Sequence, residues 1–257
     1  MKTLIITSLV IFFCGCVAQS TIPTFPDPEL KRAQVTPGTV YRAIEIENAL
    51  NAKNGELLEA GAPWFEVIPG RIPVVITAPH ATRPLRDGNR RFSDGGGTAA
   101  LALAVAELTG AHVIYTTAEG PSDPNYYDDN GFKRALKQLV DEVEPKLVLD
   151  IHGSHPFRPY DVDLGTMGGT SLLGQENMQR QLVESLRHEG ILNISDNFFA
   201  ATKNQTITKF VAAYETPAIQ FEVNTTYLSP AKGDIEAQRF SQLLQALVRF
   251  VDIVQRD

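Results

Sequence analysis

Four short apolar runs rich in β-branched residues restrict what this chain can fold into more than any other feature. They are Ile72 to Ala78, Ala111 to Thr116, Lys146 to His152 and Pro217 to Val223. Runs of this length, apolar on both faces, read as strands buried inside a sheet. Helical patterns lie between them. Thr98 to Leu108 places Leu101, Val105 and Leu108 on one face, with Gly110 as a stop. Phe132, Leu136, Leu139, Val140 and Val143 line a second helix that ends before Pro145. Met178, Leu182 and Leu186 mark a third, and Phe240, Leu243, Leu244, Leu247 and Val251 a long closing helix. Strands separated by helices imply parallel neighbours. The expected fold is therefore α/β: a three-layer α/β/α sandwich with a mostly parallel, mixed sheet of phosphorylase/hydrolase-like kind.

Composition sets the outer bounds. At 257 residues and 43% hydrophobic content, the chain suits one domain of the larger α/β type. The formal net charge is -7 and no block of Lys and Arg stands out, so nucleic acid is not an expected partner. Lys2 followed by the apolar stretch Leu4 to Phe13 predicts a signal peptide over residues 1–18. Cys16-Val17-Ala18 reads as a small-x-small cleavage site. Phe13-Cys14-Gly15-Cys16 alternatively resembles a lipobox, which would end the signal before a lipidated, membrane-tethering Cys16. The protein is thus expected to be exported, either as a periplasmic, membrane-anchored lipoprotein or in secreted form. Residues 19–38, rich in Pro and Thr, read as a tether ahead of a single domain over 39–257. Both cysteines fall in the leader, so any metal in the mature chain must be held by His, Asp or Glu.

Three of the apolar runs end on side chains with chemistry: Pro79-His80, Asp150-Ile151-His152-Gly153 and Glu222-Val223-Asn224. In open α/β sheets, ligands bind beyond the carboxyl ends of strands. A catalytic zinc takes about four ligands and leaves one position for water. His80 and His152 supply two. Asp94, just before a helix, or nearby Asp87 supplies a third, although Asp94 equally reads as a turn residue or helix cap. Asp150 and His152, two apart on a strand, share a face, so Asp150 is placed to accept the second imidazole N–H or to brace the strand end. One zinc per chain is expected. His112 reads as a core or edge histidine, His188 as a helix-end cation, and His155 as a solvent-facing loop residue. No G-x-S-x-G elbow and no H-E-x-x-H helix is present. Gly95-Gly96-Gly97 lacks the spacing of a phosphate loop.

These residues carry a resemblance. Pro79-His80, Asp150-Ile151-His152-Gly153 and Gln220-Phe221-Glu222-Val223-Asn224 resemble, in order and spacing, the N-formylglutamate amidohydrolase family over roughly residues 73 to 228. They are similar, more distantly, to the zinc carboxypeptidases. The resemblance implies a zinc-dependent amide hydrolase with His80 and His152 as metal ligands, Glu222 as general base and Asp94 where the family often has an acidic ligand. It implies that Asn125, in Asp123-Pro124-Asn125, and Arg158 or Arg83 contact the substrate. Zinc carboxypeptidases carry a glutamate three residues after the first histidine, where this chain has Arg83, so the third ligand stays open between Asp94 and Asp87. Breakdown of N-formylglutamate is intracellular, which leaves the reaction class as the expectation. That class is cleavage of an amide in an N-acyl amino acid or similar small-molecule or peptide substrate bearing a carboxylate. The alternatives are an exported carboxypeptidase-type peptidase acting on peptidoglycan or γ-glutamyl peptides, and a non-catalytic, lipid-tethered binding protein.

Overall fold

The computed structural model describes residues 34–56, 58–59 and 61–256. The leader, its cleavage site, the lipidation call at Cys16 and most of the tether lie outside the described residues. In chain order the elements are α1 (Pro37–Ala52), β1 (Phe65–Ile68), β2 (Val74–Ala78), β3 (Leu85–Arg86), β4 (Asn89–Arg90), α2 (Gly96–Thr109) and β5 (His112–Thr116). They continue with α3 (Gly131–Val143), β6 (Leu147–Ser154), β7 (Val162–Gly165), α4 (Glu176–His188), β8 (Ile194–Asp196), α5 (Ile207–Ala212), β9 (Ala218–Asn224) and α6 (Asp234–Arg256), with short 3₁₀ turns between.

The seven-stranded sheet runs β1-β5-β2-β6-β9-β7-β8, and β3 and β4 form a separate small hairpin. The four expected strands are the parallel centre, β5-β2-β6-β9. β1 closes one side antiparallel to β5. On the other side β7 runs antiparallel to β9 and carries β8 parallel to itself. The sheet is therefore mostly parallel and mixed, as expected, and helices cover both faces. Side-chain alternation along β2 shows why. Val74, Ile76 and Ala78 enter the core shared with α1, α2, α4 and α6, while Val75 points to the smaller core with α3 and α5.

Local chemistry sets the element boundaries. α1 starts at Pro37, whose missing N–H costs nothing at that position, and the Thr36 hydroxyl accepts from Thr39 N–H at 3.3 Å. Gln34 N–H donates to Gln245 Oε1 of α6 at 2.9 Å. Residues 34–38 thus belong to the folded body, and the expected tether gives way to structure before residue 39. Among the described residues, no helix is long and apolar enough to cross a membrane.

Candidate metal centre

The carboxyl ends of β2, β6 and β9 meet at one place. His80 stands two residues beyond β2, His152 sits near the end of β6, and Glu222 is the cross-strand neighbour of His152 on β9. His80 is 9% exposed and His152 2%. Their rings lie edge to face with centroids 5.0 Å apart. Between them stands Asp94. Its Oδ2 is 2.9 Å from His152 Nδ1 and 3.4 Å from His80 Nδ1.

Two backbone features bring Asp94 there. Its N–H donates to the His80 carbonyl at 2.8 Å, so the excursion through the β3–β4 hairpin closes back on its own start. Gly153, the residue after His152, lies against Asp94. A Cβ there would meet the Asp94 carbonyl oxygen at 2.6 Å, so only glycine permits the approach. Asp87, the other carboxylate left open by the sequence, is exposed on the hairpin and accepts from the Tyr127 hydroxyl at 2.8 Å.

Each imidazole turns its other nitrogen to a fully buried carboxylate. His152 Nε2 lies 3.1 Å from Asp150 Oδ2, and His80 Nε2 lies 2.7 Å from Asp123 Oδ1. Asp150 also accepts from the Thr77 hydroxyl on β2. Asp123 is held on all sides: Arg86 donates to Oδ2 from Nε at 2.9 Å and from Nη2 at 2.6 Å, and Asn125 N–H donates to Oδ1 at 2.9 Å. A proton kept on Nε2 by a carboxylate leaves Nδ1 of each ring as a lone-pair donor facing Asp94.

The charge balance fits a divalent cation. Burial alone would depress His80, but Asp94 and Asp123 outweigh it and raise its pKa to about 9; Asp150 and Asp94 likewise raise His152. Burial would raise Asp94 and Asp123, yet the imidazoles, and for Asp123 also Arg86, hold both well below the usual carboxylate range. The pocket therefore demands positive charge. Asp94, Asp123 and Asp150 face one directly paired guanidinium, and with neutral imidazoles the excess is negative. His80, Asp94 and His152 each offer a ligand atom, all within 4.8 Å of one another. Two nitrogens and one oxygen, backed by outer carboxylates, form a set that can hold a dication and leave a position open.

Glu222 stands apart from this set. Burial lifts its pKa to about 7, with the imidazoles pulling it down and Asp94 and Asp150 pushing it up. The ends of the strands open into a cleft of about 700 Å³ lined by His80, Asp94, His152 and Glu222, and further out by Arg86, Arg91, Arg158 and Lys203. Arg158 packs its guanidinium over the rings of Phe199 (4.9 Å) and Phe198 (5.7 Å). Asn125 lines the cleft, but its side-chain oxygen accepts from Ile207 N–H at 2.7 Å and so caps the approach to α5. Arg83 is placed elsewhere. Its guanidinium pairs with Glu119 away from the cleft lining, and Arg86 and Arg91 stand in the cleft instead. His155 is an exposed loop residue, as expected; it lines the cleft mouth with its ring centroid 4.8 Å from that of Phe157. His112 accepts from Gly70 N–H at the start of β5, and His188 pairs with Glu189 at the end of α4. Asp123, the partner of His80, was not singled out by the sequence for that role. Its only local signal is a carboxylate just before Pro124 in a turn.

No family model matches the chain, and no curated protein matches it in sequence. Solved structures do match it in fold. N-formylglutamate amidohydrolase from Ralstonia eutropha JMP134 aligns with a TM-score of 0.54 and 15% identity, over 76% of this chain and 99% of its own. The fold is that of N-formylglutamate amidohydrolase. Two more distant alignments are a bacteriophage poly-gamma-glutamate hydrolase and a metallo-carboxypeptidase from Pseudomonas aeruginosa. The first has a TM-score of 0.48 and 18% identity over 79% and 95% of the two chains. The second has a TM-score of 0.48 and 14% identity over 84% and 67%. In this fold the His80–Asp94–His152 cluster lies at the carboxyl edge of the parallel strands, where α/β sheets place ligands.

Proposed function

We propose that this chain is a zinc-dependent hydrolase that cleaves an amide bond in a substrate bearing a carboxylate, such as an N-acyl amino acid. One observation carries the reading. Two Nδ1 atoms and one carboxylate oxygen converge, each imidazole is backed by a buried carboxylate, and a separate carboxyl with a pKa near neutrality stands one strand away. A purely structural ion-pair network would have no use for a half-buried glutamate that faces the cleft with no cationic side chain bonded to it.

Zinc held by His80, Asp94 and His152 would supply Lewis acidity, polarising a carbonyl oxygen and making water easier to deprotonate. The protein's own groups do the rest. Asp123 and Asp150 keep the ring protons on Nε2 and so keep both Nδ1 atoms available. Glu222 takes the proton of the attacking water and delivers it to the leaving amine nitrogen, a task that suits a carboxyl raised toward neutral pH. Arg158, flattened on its aromatic bed, offers a planar donor pair to a substrate carboxylate. The cleft volume also accommodates a short peptide, which keeps a carboxypeptidase-type activity on γ-glutamyl peptides as the second reading. Export through the N-terminal segment, as a lipoprotein or in soluble form, belongs to the same proposal.

The test is a panel of N-formyl and N-acetyl amino acids and γ-glutamyl dipeptides, assayed before and after chelation and after zinc is added back. Turnover that disappears with chelator and returns with zinc supports the reading. Turnover indifferent to chelation, or a protein that purifies without any bound divalent metal and gains none, overturns it.

A further inference from the structure

Gln220 lies two residues before Glu222 on β9, so both side chains leave the same face of the strand. It is 4% exposed. Its Nε2 donates to Glu222 Oε1 at 3.1 Å and to the Phe199 carbonyl at 3.3 Å. One buried carboxamide thus bridges the glutamate to the cleft wall.

The neighbouring strand is shaped around this bridge. Gly165 of β7 is the register partner of Gln220, and Asp163 is the partner of Glu222. A Cβ on Gly165 would meet the Phe199 carbonyl oxygen at 2.3 Å and Gln220 Cβ at 3.1 Å. Only glycine leaves room for Phe199 to reach the amide. Asp163, fully buried, accepts from Phe198 N–H at 3.0 Å, Phe199 N–H at 2.8 Å and the Ser195 hydroxyl at 2.6 Å. Phe199 is therefore held at its N–H by Asp163 and at its carbonyl by Gln220, and its ring carries Arg158. Burying a carboxylate costs several kcal/mol unless it is fully hydrogen-bonded, so a charge spent on two backbone N–H groups marks a wall that must not move.

We infer that Gln220 is a positioning residue that fixes the Glu222 carboxylate against the Phe198–Phe199 wall, setting its distance from the substrate held by Arg158. This rests on Glu222 being the base proposed above. A carboxamide suits the role because it is neutral. A Lys or Arg at this position would orient Glu222 equally well, but would lower its proton affinity and weaken it as a base. Without the bridge the Glu222 side chain keeps its location but samples other rotamers, and misplacing a reacting group by about 1 Å can cost on the order of a hundredfold in rate.

The experiment compares the parent with Gln220→Met and Gln220→Glu on a substrate the parent cleaves from the panel above, with zinc content and thermal midpoint measured on all three. Both variants keep the length of the side chain and remove the N–H donors. The expected result is a kcat at least about tenfold lower with KM within about twofold and zinc per chain as in the parent. A folded, zinc-loaded variant with parental kcat overturns the inference, as does a loss confined to KM. Should Gln220→Met not fold, Gln220→Leu, also uncharged and without donors, carries the test. A parent with no zinc-dependent turnover would instead overturn the base assignment itself, a result the parent control separates from the first.

Discussion

The floor and the wall of the cleft are built on opposite terms. The floor is formed by strand ends, and its groups are buried, charged and mutually bonded: His80 against Asp123, His152 against Asp150, both against Asp94. The wall is formed by the loops after β6 and β8, and its groups are Arg158, Phe157, Phe198 and Lys203, all exposed. On the floor, removing one member strands its partner's charge in a dry site, so the cost is large. On the wall, water replaces a lost side chain and the cost is modest. On the proposed function, chemistry would sit on buried strand ends, and recognition on side chains that can be exchanged while the backbone behind them stays fixed.

Substitutions ordered by expected effect test this division. His80→Ala removes a proposed ligand and leaves Asp94 and Asp123 facing each other across a gap; zinc per chain, read by elemental analysis, should fall from near one to little, with turnover lost. Glu222→Gln retains shape and metal, and should lower kcat by roughly two orders of magnitude or more. Parental activity in that variant would remove Glu222 from the mechanism. Asp123→Asn preserves volume but no longer holds the His80 tautomer, and zinc affinity by competition with a chelator should drop about 10- to 100-fold. Arg158→Ala acts on the wall alone, so KM should rise several-fold while kcat and zinc content stay put. A large kcat loss there would erase the distinction between floor and wall.

The pH profile sharpens the same contrast. As the proposed base, Glu222 would act only when deprotonated, and burial raises its pKa to about 7. Activity should therefore be lost as pH falls through a midpoint at or below about 7, because a bound cation nearby pulls that value down. The acidic limb should move in Glu222 variants and stay in place in Arg158→Ala.

Most of the central fold was readable along the chain. The four strands of the parallel centre are apolar on both faces, and the helices between them repeat at 3.6 residues, signals that need only neighbouring residues. β7 escaped notice because Val162–Gly165 is four residues long and carries an aspartate, which in isolation looks like a loop. Its acid is buried only because Phe198 and Phe199 N–H come to it from the loop after β8. α1 was hidden by Pro37 and Gly38, which resemble the end of a tether rather than a helix start.

The site divides in the same way. That His80, His152 and Glu222 stand at the ends of buried strands follows from local hydrophobic patterning, and the α/β sandwich then places them on one edge of one sheet. Which carboxylate faces both imidazoles, which one backs His80, and that Arg83 turns away while Arg86 turns in are contacts across 14 to 58 residues of chain, and only the folded backbone sets them. The physical reason is one of range. Burial preferences act residue by residue and repeat along a segment, whereas an ion pair or a glycine-permitted close approach depends on where two distant segments meet, and nothing in either segment alone records the other.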